Sequence, residues 1–151
     1  MPRAAAQATP AGACPAVPNC GAVALAAATG VDLAGWMAHF QSTRSPQWRG
    51  RLCWGDLREA AIYFGFRWAE VPDARGTLAT FIDQRTSRDA GYIIRVGGHF
   101  VFVRGGHVVD QFQAGEIRRH WARRKRVNLA AIVWRKCGDR IKATAPLNIR
   151  C

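Results

Sequence analysis

The sequence predicts an α+β fold, with helices in its N-terminal half and an antiparallel sheet in its C-terminal half. Two observations carry this expectation. In segments 20–29, 32–40, 54–64 and 77–86 the residues are good helix formers or place apolar side chains three and four apart, as a helix with one buried face requires. From residue 92 onward the short apolar runs YIIRV, HFVFV and HVVDQF are separated by Gly97-Gly98 and Gly105-Gly106, glycine pairs suited to tight hairpins. At 151 residues the chain is long enough for one core and one domain.

The elements follow in order. GAVALAAATG after Cys20 reads as a buried helix stopped at Thr29-Gly30. Asp32 is placed to cap a second helix running through Phe40, with Trp36, Met37 and Phe40 on one face. QSTRSPQWRGR then reads as a loop, and WGDLREAAIYFGF as a helix with Leu57, Ala60, Ala61 and Phe64 buried and Gly65 as its stop. FRWAEV reads as a short strand, and TLATFIDQRT as a helix opened by Thr77 with Leu78, Phe81 and Ile82 inward. The three-stranded meander comes next, then the basic stretch EIRRHWARRKR, and VNLAAIVW is expected to close the sheet.

Composition bounds the function. Residues 1–18 read as a flexible Ala/Pro-rich arm without the apolar stretch of a secretory leader, and 19–151 as a single domain. No apolar run approaches the about twenty residues of a membrane span. Five Cys at positions 14, 20, 53, 137 and 151 make neither a disulfide framework nor a zinc spacing. No metal and no cofactor is therefore expected, and a reducing cytoplasmic setting is. The net charge of +12 comes from 19 Arg and 3 Lys against 10 acidic residues. Such a surface attracts nucleic acid nonspecifically, although an Arg-, Ala- and Gly-rich composition is also what a GC-rich genome produces.

Cys20 stands at the mouth of the first helix, where free backbone N–H groups and the helix dipole stabilise a thiolate. Gly98-His99 and Asp110 lie on strands that can be brought into register. A two-residue turn at Gly105-Gly106 sets Arg104 opposite His107, Val101 opposite Asp110 and His99 opposite Phe112. Asp110 is then a diagonal neighbour of His99 on the same face, about 7–8 Å away between backbones and within side-chain reach. Nucleophile, base and orienter are thus assigned to Cys20, His99 and Asp110. Cys14 and Cys53 are the rival thiols, but neither leads an equally apolar helix. His39, His107 and His120 have no comparable partner in the sequence and read as structural or surface residues.

NCGAVALAAATG, then TLATFI, then GYIIRVGGHFVFVRGGHVVD resemble the papain-like cysteine peptidase superfamily, particularly its compact phage and bacterial members. The likeness spans about residues 19 to 135. It implies a papain-like fold in which the nucleophile-bearing helix packs on the C-terminal antiparallel sheet, and it carries the roles of nucleophile, base and orienter onto Cys20, His99 and Asp110. It also implies a protein or peptide substrate and an intracellular or virion-associated setting. The departure is at the oxyanion side chain: such enzymes commonly place Gln several residues before the nucleophile, where this sequence has Cys14 and Pro15. Asn19 is the nearest amide, and the backbone N–H of Cys20 is one candidate donor.

Trp48 and Trp54 flank the loop before the third helix and are candidates for a cleft wall. Arg118, Arg119, Arg123, Arg124, Lys125 and Arg126 surround Trp121, a pattern that could grip phosphates while the indole stacks on a base, or could be a solvated loop. The expected function is thiol-dependent hydrolysis of an amide or isopeptide bond. The alternative is a catalytically weak papain-like module that holds nucleic acid or an acidic protein on its basic surface.

Overall fold

The computed structural model describes residues 19–135. The arm expected over 1–18, with Cys14, and the segment 136–151, with Cys137 and Cys151, lie outside the described residues. Four α-helices occupy Cys20–Thr29 (α1), Leu33–Thr43 (α2), Trp54–Tyr63 (α3) and Leu78–Arg85 (α4). Six strands occupy Arg67–Glu70 (β1), Tyr92–Val96 (β2), His99–Arg104 (β3), His107–Val109 (β4), Ala114–Glu116 (β5) and Val127–Trp134 (β6). They form one antiparallel sheet in the order β1-β6-β2-β3-β4-β5. The fold is α+β, as the periodicities require, and no described helix is long and apolar enough to cross a membrane.

The caps sit where the sequence places them. Gly30 adopts φ 73° and donates its N–H to Ala26 O, closing α1. Asp32 Oδ1 accepts from Gly35 N at 2.7 Å, and Thr77 Oγ1 from Thr80 N at 3.3 Å. Helix α2 runs to Thr43, three residues past the expected end at Phe40. No breaker lies in Gln41-Ser42-Thr43, and the Ser42 and Thr43 hydroxyls donate back to His39 O within the last turn.

The central strands of the sheet are buried on both faces. Trp36 and Phe40 from α2, Leu57 and Ala61 from α3, and Ala24 and Leu25 from α1 pack against Ile93, Phe100 and Phe102. On the opposite face Leu78, Phe81 and Ile82 of α4 pack against Tyr92, Ile94, Val101 and Val103. Each buried Leu, Ile, Val or Phe among them contributes about 1.5–3 kcal/mol by leaving water. Two-sided burial explains why β2 and β3 read as near-continuous apolar runs rather than alternating ones.

The hairpin between β3 and β4 has the expected register: Arg104 faces His107, and Phe102 faces Val109. Gly105 and Gly106 both take positive φ, 58° and 80°, as a type I′ turn demands. One expected strand is shorter, and one strand is unanticipated. HVVDQF does not stay a strand to Phe112; pairing stops at Val109 because Asp110 folds into a turn, its N–H donating to Gln113 O at 2.9 Å. The Val101–Asp110 pair is therefore absent. β5 was hidden in Ala114-Gly115-Glu116, too short and polar to show alternation. VNLAAIVW is the last strand, as expected, and it lies between β1 and β2, a place its apolar, two-faced sequence suits.

Candidate active site

Cys20 is the first residue of α1 and is 8 % exposed. The first intrahelical N–H bond is that of Val23 to Asn19 O, so the amides of Cys20, Gly21 and Ala22 have no acceptor inside the helix. Gly21 follows for a packing reason. A Cβ there would meet Leu57 Cδ1 at 3.0 Å and Leu52 Cδ1 at 3.1 Å, so only a glycine lets the helix mouth close on this loop without displacing it.

His99 reaches this thiol from the first residue of β3. Burial raises the Cys20 pKa, but the hydrogen bond from His99, the backbone N–H of Phe100, the His99 charge and the backbone N–H of Gly21 together hold it below the ordinary thiol value. His99 is 4 % exposed, its ring stacked on Phe112 at 5.5 Å and edged by Trp121 at 5.2 Å. Its Nε2 donates to Asp110 Oδ2 at 3.2 Å. With Nε2 so engaged, Nδ1 is the nitrogen left to face sulfur.

Asp110 is held more firmly than a strand position would hold it. Its Oδ1 accepts from Phe112 N at 2.8 Å and Gln113 N at 2.7 Å, the Asx turn that ends β4. Its Oδ2 accepts from Trp121 Nε1 at 2.6 Å as well as from His99. Burial raises its pKa, yet the hydrogen bonds from His99, the Phe112 and Gln113 amides and the Trp121 indole outweigh it and hold the carboxyl below its usual range. Gln113 ties the turn to the next segment, its Nε2 donating to Arg119 O and its Oε1 accepting from Trp121 N.

His120 is a second buried imidazole beside this carboxylate, 1 % exposed, not the surface residue its sequence context allowed. Its Nδ1 accepts from Ala122 N at 3.2 Å, which puts the proton of the neutral ring on Nε2, 3.7 Å from Asp110 Oδ2. Burial lowers the His120 pKa, Asp110 and the Gln113 backbone oppose this, and the His99 charge adds to it; the net effect is a ring kept neutral. His39 is enclosed by Trp36, Phe40, Tyr63 and Phe64, and His107 is exposed on β4.

The thiol opens on a cleft of about 390 Å³ lined by Arg51, Leu52, Cys53, Trp54, Arg95 and Phe100 among others. Trp54 lies in this wall, stacked on Phe100 at 6.2 Å, its Nε1 donating to Glu70. Trp48 is not among the cleft-lining residues; it packs on Phe40 and donates its indole N–H to Arg51 O at 2.7 Å, steadying the loop that carries Arg51. Cys53 lines the same cleft as an exposed free thiol at the N-cap of α3. Asn19 is the N-cap residue of α1, but its side chain makes no cap hydrogen bond and it is not among the cleft-lining residues. Trp121 has a role its sequence context did not show. It is half-buried, its indole N–H donating to Asp110 and its ring meeting His99 edge to face, which joins it to the His99–Asp110 pair as well as to the cationic run. Arg118, Arg119, Arg123, Arg124, Lys125 and Arg126 are all exposed; Arg118 pairs with Glu116, and Arg123 donates to Arg118 O. Among the described residues no group of three or more His, Cys, Asp or Glu is arranged to hold a metal.

Sequence reasoning missed Trp121, His120 and Phe112 as neighbours of His99 and Asp110, and Arg51 and Arg95 as cleft residues. The signal for the first group was Asp110 followed by two N–H donors in a polar turn, which bends residues 113–122 back over the site. For Arg51 and Arg95 no local signal exists, because only tertiary packing brings the loop before α3 and strand β2 to one cleft. Comparison of the chain with protein-family models, curated proteins and solved structures finds no match in any of the three.

Proposed function

We propose that this chain is a thiol hydrolase of the papain-like kind, cleaving an amide or isopeptide bond of a protein or peptide through an acyl-enzyme. The observation that carries the reading is the continuous hydrogen-bonded line from the Cys20 thiol to His99 and from His99 Nε2 to Asp110 Oδ2. Sulfur attacks the substrate carbonyl as thiolate, and the positive charge on His99 is balanced by the ionised Asp110. His99 gives its proton to the departing amine, leaving a thioester on Cys20. It then takes a proton from water as hydroxide adds to the thioester, and the carboxylic acid leaves with the thiol restored. The Cys20 backbone N–H, without an intrahelical acceptor, is one donor for the oxyanion.

A second reading, a module that holds a polyanion on its basic surface, draws on the six exposed cationic residues between 118 and 126. The buried His99–Asp110 pair favours the enzyme, because a binding surface has no use for a desolvated imidazole–carboxylate couple beside a thiol. Turnover of p-nitrophenyl acetate separates the two. The enzyme gives a burst of p-nitrophenol, an acetyl adduct on the Cys20 peptide by mass spectrometry, and loss of both in Cys20→Ala; steady hydrolysis that survives Cys20→Ala would refute it.

A further inference from the structure

The cleft beside Cys20 has a one-sided charge. Its lining contains Arg51 and Arg95 and no Asp or Glu. Both guanidinium groups spring from well-anchored backbone. Arg51 precedes the buried Leu52 and has its carbonyl held by the Trp48 indole. Arg95 lies in β2 between Phe100 of β3 and Leu129 of β6, where a register shift skips Asn128 and breaks the ladder. Alternation along β2 turns Ile94 and Val96 to the α4 core and Arg95 to the opposite face, where it lines the cleft. Among the described residues neither guanidinium has an ion-pair or hydrogen-bond partner, unlike Arg44, which pairs with Asp56, and Arg85, which donates to the Pro72 and Asp73 carbonyls. Two guanidiniums exposed on a concave, partly apolar wall can receive a carboxylate through charge-assisted N–H···O bonds. The stacked Trp54 and Phe100 rings add a flat apolar surface next to them.

We infer that the cleft selects acyl substrates carrying a carboxylate close to the scissile bond, with Arg51 and Arg95 as its receptors. This inference rests on Cys20 being the reacting thiol of the proposed hydrolase. The carboxylate can come from an Asp or Glu side chain or from a free C-terminus, and a set of alkylating probes distinguishes them. N-chloroacetyl-glutamic acid α-amide presents a side-chain carboxylate, N-chloroacetyl-glutamine a terminal one, and N-chloroacetyl-glutamine amide none. In each, the Cys20 thiolate forms an Sγ–C bond at the chloromethyl carbon and chloride leaves.

Second-order rates of Cys20 alkylation are measured by peptide mass spectrometry for wild type, Arg51→Gln/Arg95→Gln, and the charge-matched control Arg123→Gln/Arg124→Gln, at low and at moderate salt. The pH is set wherever Cys20 alkylates at a measurable rate. We expect one carboxylate probe to outpace the neutral probe by about tenfold in wild type, the scale of one charge-assisted hydrogen bond. The double Arg51/Arg95 variant should cut that ratio, taken against its own neutral-probe rate, to within about twofold, and the control should keep it. Equal rates for all three probes in wild type, a ratio that survives the double variant, or one that falls as far in the control would overturn the inference. Because any thiol alkylates at high enough pH, the charge ratio is read whether or not Cys20 hydrolyses anything. Failure of the hydrolase reading shows separately, as no acyl-enzyme from p-nitrophenyl acetate.

Discussion

Trp121 Nε1 donates to Asp110 Oδ2 at 2.6 Å, the same oxygen that receives His99 Nε2 at 3.2 Å. The indole therefore fixes the direction in which the carboxylate addresses the imidazole, and its ring closes the edge of His99. Trp121→Phe keeps the ring edge and removes the donor. A hydrogen bond to a charged group is worth about 1.5–3 kcal/mol, so kcat should fall about 10- to 100-fold with little change in KM. Steady-state kinetics on p-nitrophenyl acetate measures this, and a loss confined to KM would mean that Trp121 shapes the cleft rather than the triad.

His120→Leu should destabilise the fold. It strands the Ala122 amide in a buried site, at a cost of about 1–3 kcal/mol. Urea denaturation gives the figure, and a change under about 0.5 kcal/mol would show that the 120–124 segment needs no anchor there.

Asp110 gives the protein a defined acid sensitivity. Its folded pKa lies below its unfolded value, so it contributes stability that is present above the unfolded carboxylate pKa and is lost as pH falls through the folded one. Asp110→Asn removes that contribution. The stability gap between wild type and Asp110→Asn, taken from thermal melts between neutral pH and the acid range, should narrow as the pH falls. A gap that stays constant or widens would contradict an ionised, hydrogen-bonded Asp110.

The basic run makes an electrostatic prediction. If the exposed side chains of Arg123, Arg124 and Arg126 neutralise phosphates, changing all three to Gln should flatten the salt dependence of oligonucleotide binding by about 0.7–0.9 for each phosphate left unneutralised, and Cys20→Ala should leave it untouched. Fluorescence anisotropy with single- and double-stranded oligonucleotides reads the slope. No binding at low salt would identify the run as an ordinary solvated face.

Much of the fold was legible because local chemistry and tertiary environment agree: Asp32 and Thr77 cap their helices, Gly30 closes α1, and two glycines with positive φ set the β3–β4 register. The same register places His99 near Asp110 on sequence grounds, although the ladder ends one residue before Asp110. The contact forms through an Asx turn instead of a strand pair. What was not legible depends on chain reversals of long range. β6 inserts between β1 and β2, a choice that an apolar strand of either order satisfies equally. Trp121 looked like part of a cationic surface because its charged neighbours dominate the local sequence, while its indole turns inward.

The central claim is that Cys20 is a thiolate activated by His99, and the pH dependence of its alkylation tests this most directly. Chloroacetamide labelling is followed at Cys20 and Cys53 by peptide mass spectrometry in wild type, His99→Ala and Cys20→Ala. Cys20 should react faster than Cys53 and keep reacting at pH values below those at which an ordinary thiol falls silent, because its pKa is lowered by the His99 hydrogen bond and the Phe100 and Gly21 amides. In His99→Ala that low-pH reactivity should disappear while Cys53 is unchanged. Preferential labelling of Cys53, or a Cys20 profile identical in wild type and His99→Ala, would contradict the account.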